Sequence, residues 1–328
     1  MRKILTVSVA AYNVELFLQK TLESCVIPEI LDDIEVLIEN DGSTDQTAEI
    51  ATSFVEKYPD SFRLINKENG GYGTTINRSI QEASGKYFKL LDGDDWFDKD
   101  GLKKLITFLK TSEADLILNR YYYVKDGTWE TTLCDTFWEK YEGQSLPLDK
   151  IDCELPIGIW NTTVKTELIR KSSYLLPEHT LYTDQLFIIR LLPYISNITF
   201  SKMPVYCYRI GRDGQSVTKE ARIKHYKEML FVFKEGLQLY INSENRDEHN
   251  LKVLCSRNGM YYYRTVCTLL LMKGTKEHYK ELLALRDYCR NNAIDVYQNA
   301  FRISKKLKLL HYTNYLAYWF FAGRQENW

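Results

Sequence analysis

No two of the seven cysteines (Cys25, Cys134, Cys153, Cys207, Cys255, Cys267 and Cys289) stand in a CxxC pair or at a zinc-binding interval. That removes a cysteine-held zinc site and fits a reducing, cytoplasmic setting. An excess of one charge sign is missing too. Lys and Arg number 43 and Asp and Glu 44, a formal net charge of −1, so no basic excess argues for nucleic acid. No apolar run approaches a membrane span. The opening Met1-Arg2-Lys3-Ile4-Leu5-Thr6-Val7 leads into a strand without the apolar core or cleavage site of a signal peptide. Internal repeats and low-complexity linkers are also absent. What is present is core material: 45% hydrophobic and 13% aromatic residues over 328 positions. One large α/β domain with a smaller appendage suits that length.

Through residues 1–120 strand-like and helix-like segments alternate. Strands are expected at Leu5 to Ala11, Ile34 to Ile38, Phe62 to Ile65, Tyr87 to Leu91 and Asp115 to Tyr122. Helices are expected at Glu15 to Cys25, Thr74 to Ala83 and Leu102 to Lys110. Another is marked by Ala51, Phe54, Val55 and Tyr58 at helical intervals, with Ser43 and Gln46 at capping-box spacing before it. This alternation implies a mainly parallel, doubly wound sheet with helices on both faces. Such sheets bind ligands beyond the carboxyl ends of their strands. From about Asn119 to Ser201 the alternation weakens, and Tyr and Trp become frequent (Tyr121, Tyr122, Tyr123, Trp129, Trp138, Trp160), with Pro147 and Pro156. Val205 to Ile210 reads as a closing strand, and Met229, Leu230, Phe233 and Leu237 then open a helical region. The expected division is 1–220 (a donor half, 1–120, and an acceptor half, 121–220) and 221–328.

At the end of one strand stand Asp92, Gly93, Asp94 and Asp95. In extended chain Asp92 and Asp94 point the same way, and Gly93 permits a tight turn or a close approach. Like charges this crowded need a cation or hydrogen-bond donors to stay ionised. A hard divalent metal carrying a diphosphate is the natural occupant; a solvated acidic turn is the plainer alternative.

Four motifs resemble family-2 glycosyltransferases, in that family's order. They are Val7-Ser8-Val9-Ala10-Ala11-Tyr12-Asn13-Val14-Glu15, Asn40-Asp41-Gly42-Ser43-Thr44-Asp45, Asn69-Gly70-Gly71, and Gly85-Lys86-Tyr87 followed by Leu91-Asp92-Gly93-Asp94-Asp95-Trp96. The likeness is strong over residues 4–120, patchy to about 218 and absent beyond. It implies a GT-A fold that binds a nucleotide-sugar, usually a UDP-sugar, with Mg2+ or Mn2+. It further implies inversion at the transferred sugar, and an acceptor that is a glycan or a lipid-linked carrier. In that picture Ala11 and Tyr12 line the base pocket, Asp41 contacts uracil, Asp92 holds the ribose beside Gly93, and Asp94 holds the metal. Asp95 stands next to that shell. For Asp41 the alternative is an Asx turn or a helix cap.

Leu181-Tyr182-Thr183-Asp184-Gln185-Leu186-Phe187 matches the context of the family's general base, which assigns that role to Asp184. The alternative is that Asp184 caps the helix that follows. Thr183 stands where a second acid is common, and His179 is the fallback base. Relatives often carry an Arg near the donor phosphates, where this chain has Ile76; Asn77 keeps its place and is assigned to the donor site, and Arg78 follows. One helical position rotates a side chain by about 100°, so Arg78 does not inherit that role. Arg209 and Arg212 lie in a segment that resembles the family's stretch over the diphosphate. Each has two placements, against the donor, where Arg209 is assigned, or in a surface pair with Asp213 or Glu220. Trp96 and Trp160 either stack on sugars or fill the core.

Two rival readings are a sugar nucleotidyltransferase and a non-catalytic nucleotide-sugar-binding relative. The first wants an early Gly-rich basic loop, which Ala10-Ala11-Tyr12-Asn13-Val14-Glu15 is not. The segment 301–328 interleaves Arg302, Lys305, Lys306, Lys308 and Arg324 with aromatics and leucines. Such a segment either packs on its parent domain or makes peripheral membrane contact as an amphipathic helix. Oligomeric state is not legible.

Overall fold

The computed structural model describes residues 3–134, 139–151, 157–212, 214–243 and 248–324. Trp138, Cys153, Pro156 and Asp213 fall outside the described residues, as does the end of the basic aromatic segment, 325–328. The chain forms two compact units, residues 1–184 with 194–212, and residues 185–193 with 213–328.

The first unit opens with β1 (Leu5–Ala11), α1 (Glu15–Glu23), β2 (Ile34–Asn40), α2 (Thr47–Lys57), β3 (Phe62–Asn66) and α3 (Tyr72–Glu82). Next come β4 (Tyr87–Asp92), β5 (Trp96–Phe97), α4 (Lys99–Leu109), β6 (Leu116–Lys125), β7 (Thr131–Leu133) and β8 (Ser145–Pro147). β9 (Thr162–Lys165), α5 (Thr166–Lys171), the start of α6 (Asp184–Leu191) and β10 (Asn197–Ile210) complete it. The strands lie in the order β3-β2-β1-β4-β9-β6-β10-β5, with β7 beside β6 and β8 beside β10.

β1 pairs in parallel with β2 and β4, β2 with β3, and β6 with β10. The short strands β5, β7, β8 and β9 pair antiparallel, which makes the side of the sheet from β9 to β5 mixed. β1 and β2 are buried almost throughout, as parallel strands covered on both faces require. The acids of β2 are accommodated by donors: Glu35 accepts from the Thr6 hydroxyl at 2.8 Å and the Ser84 N–H at 2.8 Å, and Glu39 accepts from the Ser79 hydroxyl at 2.8 Å. Helix α4 buries Leu102, Leu105, Ile106 and Leu109 as one stripe, and Asp98 caps it by accepting from the Gly101 N–H at 2.7 Å.

Two local expectations change. The Ser43–Gln46 capping box does not form, because the Ser43 Oγ accepts from the Asn13 N–H instead and α2 starts at Thr47. β10 is longer than the Val205 to Ile210 run suggests. It begins at Asn197, and the register against β6 shifts on either side of Pro204, a residue with no N–H to give the ladder.

The second unit is helical: residues 185–193, then α7 (Lys219–Lys224), α8 (Tyr226–Ile241), α9 (Glu248–Leu271), α10 (Lys276–Asn292), α11 (Ile294–Ile303), α12 (Lys305–Tyr312) and α13 (Tyr318–Phe321). Met229, Phe233 and Leu237 form the buried stripe of α8. Gly236 lets α8 approach closely, since a Cβ there would come within 2.8 Å of the Ile189 Cδ1 methyl. The stretch 185–193 belongs to this unit, and its Leu186, Phe187, Ile188, Ile189 and Leu191 are all buried. A boundary near residue 220 assigns that stretch to the first domain instead. Among the described residues no helix is long and apolar enough to cross a membrane.

Candidate active site

The carboxyl ends of β1 and β2 are clasped by their own motif residues. Asn13 Oδ1 accepts from the Thr44 N–H at 2.9 Å, the Val14 N–H donates to Thr47 Oγ1 at 2.9 Å, and the Glu15 N–H donates to Asp45 Oδ2 at 3.1 Å. Glu15 Oε2 in turn accepts from the Gln46 N–H at 2.9 Å. These bonds satisfy N–H groups at the starts of both α1 and α2. Ala11 is buried at the end of β1, and Tyr12, beside it, projects with half its surface exposed.

Asp41 is buried and its carboxylate is fully engaged. It accepts from the Gly70 N–H at 2.9 Å, the Gly71 N–H at 2.8 Å, Asn69 Nδ2 at 3.2 Å and the Lys67 ammonium. Gly71, at φ +83, holds the left-handed conformation that starts α3. Asp41 thus fixes the loop 67–71. The His179 N–H donates to the Gly70 carbonyl at 2.7 Å, and Asn77 both donates to and accepts from the Leu176 backbone at 2.9 and 3.0 Å. Those bonds lay the segment 176–179 against α3, and Asn77 is spent on them. Arg78 turns to Glu82 at 2.7 Å, and Ile76 is buried.

The three acids of the cluster diverge. Asp92 Oδ1 accepts from the Tyr72 hydroxyl at 2.7 Å. Asp94 Oδ2 accepts from Arg212 at 3.0 Å through Nε and pairs with its Nη2 at 2.8 Å. Asp95 points inward, accepting from the Tyr206 hydroxyl at 2.6 Å and the Arg209 N–H at 2.7 Å. The Tyr206 hydroxyl also accepts from the Asp92 N–H at 3.2 Å. Gly93 is set close against β1: a Cβ there would meet the Ala10 carbonyl at 2.7 Å. Burial first, then the charges of Asp94 and Asp184, push the Asp92 carboxyl up to about 7, against the Tyr72 hydrogen bond. Burial likewise raises Asp95 well above the carboxylate range, with Asp92 and Asp94 adding to it.

Asp184, the first residue of α6, stands near this cluster. Its charge contributes to raising Asp92, Tyr72 and Tyr208, in each case after burial. Thr183 is buried, and His179 is exposed with φ +46. The Arg209 guanidinium donates to Asp126 at 2.8 Å and to the Asp94 carbonyl at 2.9 Å, and lies over Phe17, Trp96 and Trp129. Its burial among those partners locks the end of β10, and it is the Arg212 guanidinium that pairs with a carboxylate of the cluster. Trp160 stacks on Tyr208, rings 5.2 Å apart and 8° from parallel, while Trp96 packs under the Lys20 ammonium. Lys67, Tyr72 and Tyr206 are the site residues that sequence reasoning missed. Lys67 and Tyr72 flank the quoted Asn69-Gly70-Gly71 motif, so adjacency alone was a signal for them.

Residues 6–174 match the model of glycosyl transferase family 2. The chain belongs to that family. EpsH of Bacillus subtilis (strain 168) is 29% identical over 78% of this chain and 70% of its own length. GgaB of the same organism, a minor teichoic acid biosynthesis protein, is 24% identical over 69% of this chain, which spans 25% of GgaB. Among solved structures, Staphylococcus aureus TarS 1–349 in complex with UDP-GlcNAc aligns with 96% of this chain and 89% of its own, at TM-score 0.72 and 20% identity. The mannosyltransferase PcManGT of Pyrobaculum calidifontis, with GDP-Man and Mn2+, aligns with 98% of this chain and 86% of its own at TM-score 0.54 and 14% identity. This family-2 chain therefore has the GT-A fold, followed by a helical region.

Proposed function

We propose that this family-2 glycosyltransferase moves a sugar from a UDP-sugar to a hydroxyl of a glycan or lipid-linked acceptor, with inversion. The observation that carries the reading is the acid cluster at the carboxyl end of β4, where Tyr72 holds Asp92 and Arg212 holds Asp94, with Asp184 within electrostatic reach of Asp92. UDP-GlcNAc in TarS supports the choice of nucleotide, and the teichoic acid role in GgaB's name supports a cell-surface acceptor.

Ala11, Tyr12 and the loop fixed by Asp41 border the nucleobase, and Asp92 and Gly93 face the ribose. Asp184 takes the proton from the acceptor hydroxyl as its oxygen attacks the anomeric carbon, in line with the departing diphosphate. Among the described residues no three His, Cys, Asp or Glu side chains form a metal-holding group. One carboxylate, Asp94, already neutralised by a guanidinium, still suits a divalent ion that keeps water and phosphate oxygens as its other ligands. Mg2+ or Mn2+ at Asp94 would supply charge neutralisation of the leaving diphosphate.

The deciding test is a thermal-shift screen of UDP-, GDP- and dTDP-sugars, with and without Mn2+, on wild type and Asp94→Ala. Stabilisation by a UDP-sugar that requires Mn2+ and vanishes in the variant is expected. A preference for another nucleotide, or an unchanged response in the variant, overturns the donor assignment.

A further inference from the structure

Residues 302–324 contain Arg302, Lys305, Lys306, Lys308 and Arg324 and no Asp or Glu, within a chain of net charge −1. The fold sorts this segment by face. On α12, Leu307 and Leu310 turn inward and are buried. Helical spacing then puts Lys305, Lys308, Leu309 and Tyr312 on the other side. Asn314 and Tyr315 take left-handed backbone, φ 48 and 67, and the helix stops. Beyond the turn the Tyr315 hydroxyl meets Tyr262 at 2.7 Å in the interior, and Tyr318 is buried. Leu316, Trp319 and Phe320 are left outside.

Exposure is high at Tyr312 (81%), Phe320 (65%) and Leu316 (64%), and 45% at both Leu309 and Trp319. Single exposed apolar residues need no account, but five of them between positions 309 and 320 do. The Arg324 guanidinium lies 5.1 Å from the centre of the Phe320 ring, so the basic and aromatic groups are interleaved in space as well as in sequence.

We propose that this face binds the anionic surface of a lipid bilayer without crossing it. Leu309, Tyr312, Leu316, Trp319 and Phe320 enter the headgroup boundary, and Lys305, Lys306, Lys308 and Arg324 meet the lipid phosphates. Aromatic rings with a polar edge favour that boundary, and basic residues near anionic lipid each add to the attraction. A second copy of the chain fits poorly as the occupant, because a two-fold contact would set this basic set against itself. The inference holds whichever donor and acceptor the enzyme uses.

The test is flotation of the whole chain with phosphatidylglycerol–phosphatidylcholine vesicles and with phosphatidylcholine alone. Two variants are compared, Lys305→Gln/Lys306→Gln/Lys308→Gln and Tyr312→Ser/Leu316→Ser/Phe320→Ser. All six positions are exposed, so both variants should keep the wild-type circular dichroism and donor-induced thermal shift. Wild type should float with the anionic vesicles and lose binding with added salt. At ~1 kcal/mol per basic residue, the lysine variant should bind on the order of a hundredfold more weakly. The apolar variant should also release. Absence of wild-type flotation, equal flotation with neutral vesicles, or variants that float like wild type overturns the proposal. So does a wild-type dimer that the apolar variant dissolves without any vesicle binding. Because the donor-induced shift is read separately, failure here is distinguishable from failure of the transferase reading.

Discussion

Arg212 places two nitrogens on one oxygen of Asp94, at 3.0 and 2.8 Å, and so holds the carboxylate to which a metal role is assigned. A cation that binds Asp94 competes with that guanidinium for the carboxylate's charge. Arg212→Ala should therefore tighten Mn2+ binding measured by calorimetry without donor. Unchanged or weaker binding would mean that the ion pair and the metal do not compete.

Asp184→Asn tests the general base. Transfer should fall by ~10²–10⁴, the usual worth of such a group, while the UDP-sugar thermal shift persists. Loss of donor binding together with transfer would instead give Asp184 a place in the donor pocket.

Tyr206→Phe deletes one hydroxyl and leaves Asp95 Oδ2 and the Asp92 N–H without that partner. Unfolding free energy should drop by about 1–3 kcal/mol, the cost of stranding buried polar groups. A variant as stable as wild type in urea melts would show that water takes the place of the hydroxyl.

Glu39→Gln carries a pH signature. Burial raises the Glu39 carboxyl from 4.5 to about 7, only partly opposed by the Ser79 hydroxyl. Between those values the folded chain binds a proton that the unfolded chain has released, so wild-type stability falls as pH rises through that window and is flat above it. Glutamine cannot ionise. The variant should gain on wild type from pH 5 to pH 8 in paired denaturant titrations, and a constant difference would place the Glu39 titration elsewhere.

Residues 1–120 are legible from the sequence because pattern and motif agree there. Mostly apolar runs mark β1, β2 and β4 despite Ser8, Glu35, Glu39 and Lys89 within them, and the motif acids Asp41 and Asp92 stand at strand ends. Residues 121–220 are harder because their short antiparallel strands carry no period of their own, and Pro204 splits the signal of β10. Side-chain direction is the hardest part. Asp92, Asp94 and Asp95 read as one cluster, yet their partners Tyr72, Arg212 and Tyr206 pull them apart. Nothing local announces Tyr206. Asn77 and Arg209 show the same limit, since their bonds to Leu176 and Asp126 depend on segments distant in sequence.

The Tyr206–Asp95 bond spans 111 residues. At ~5–20 residues per second of synthesis, roughly 6 to 20 seconds separate the emergence of the acid from that of its donor. A nascent chain in that interval carries β1 to β4 but holds Asp95 with neither Tyr206 nor the Arg209 N–H. Proteolysis of ribosome-bound chains should therefore find the turn after β4 open until β10 arrives, so the first-made strands are finished by a late-made one.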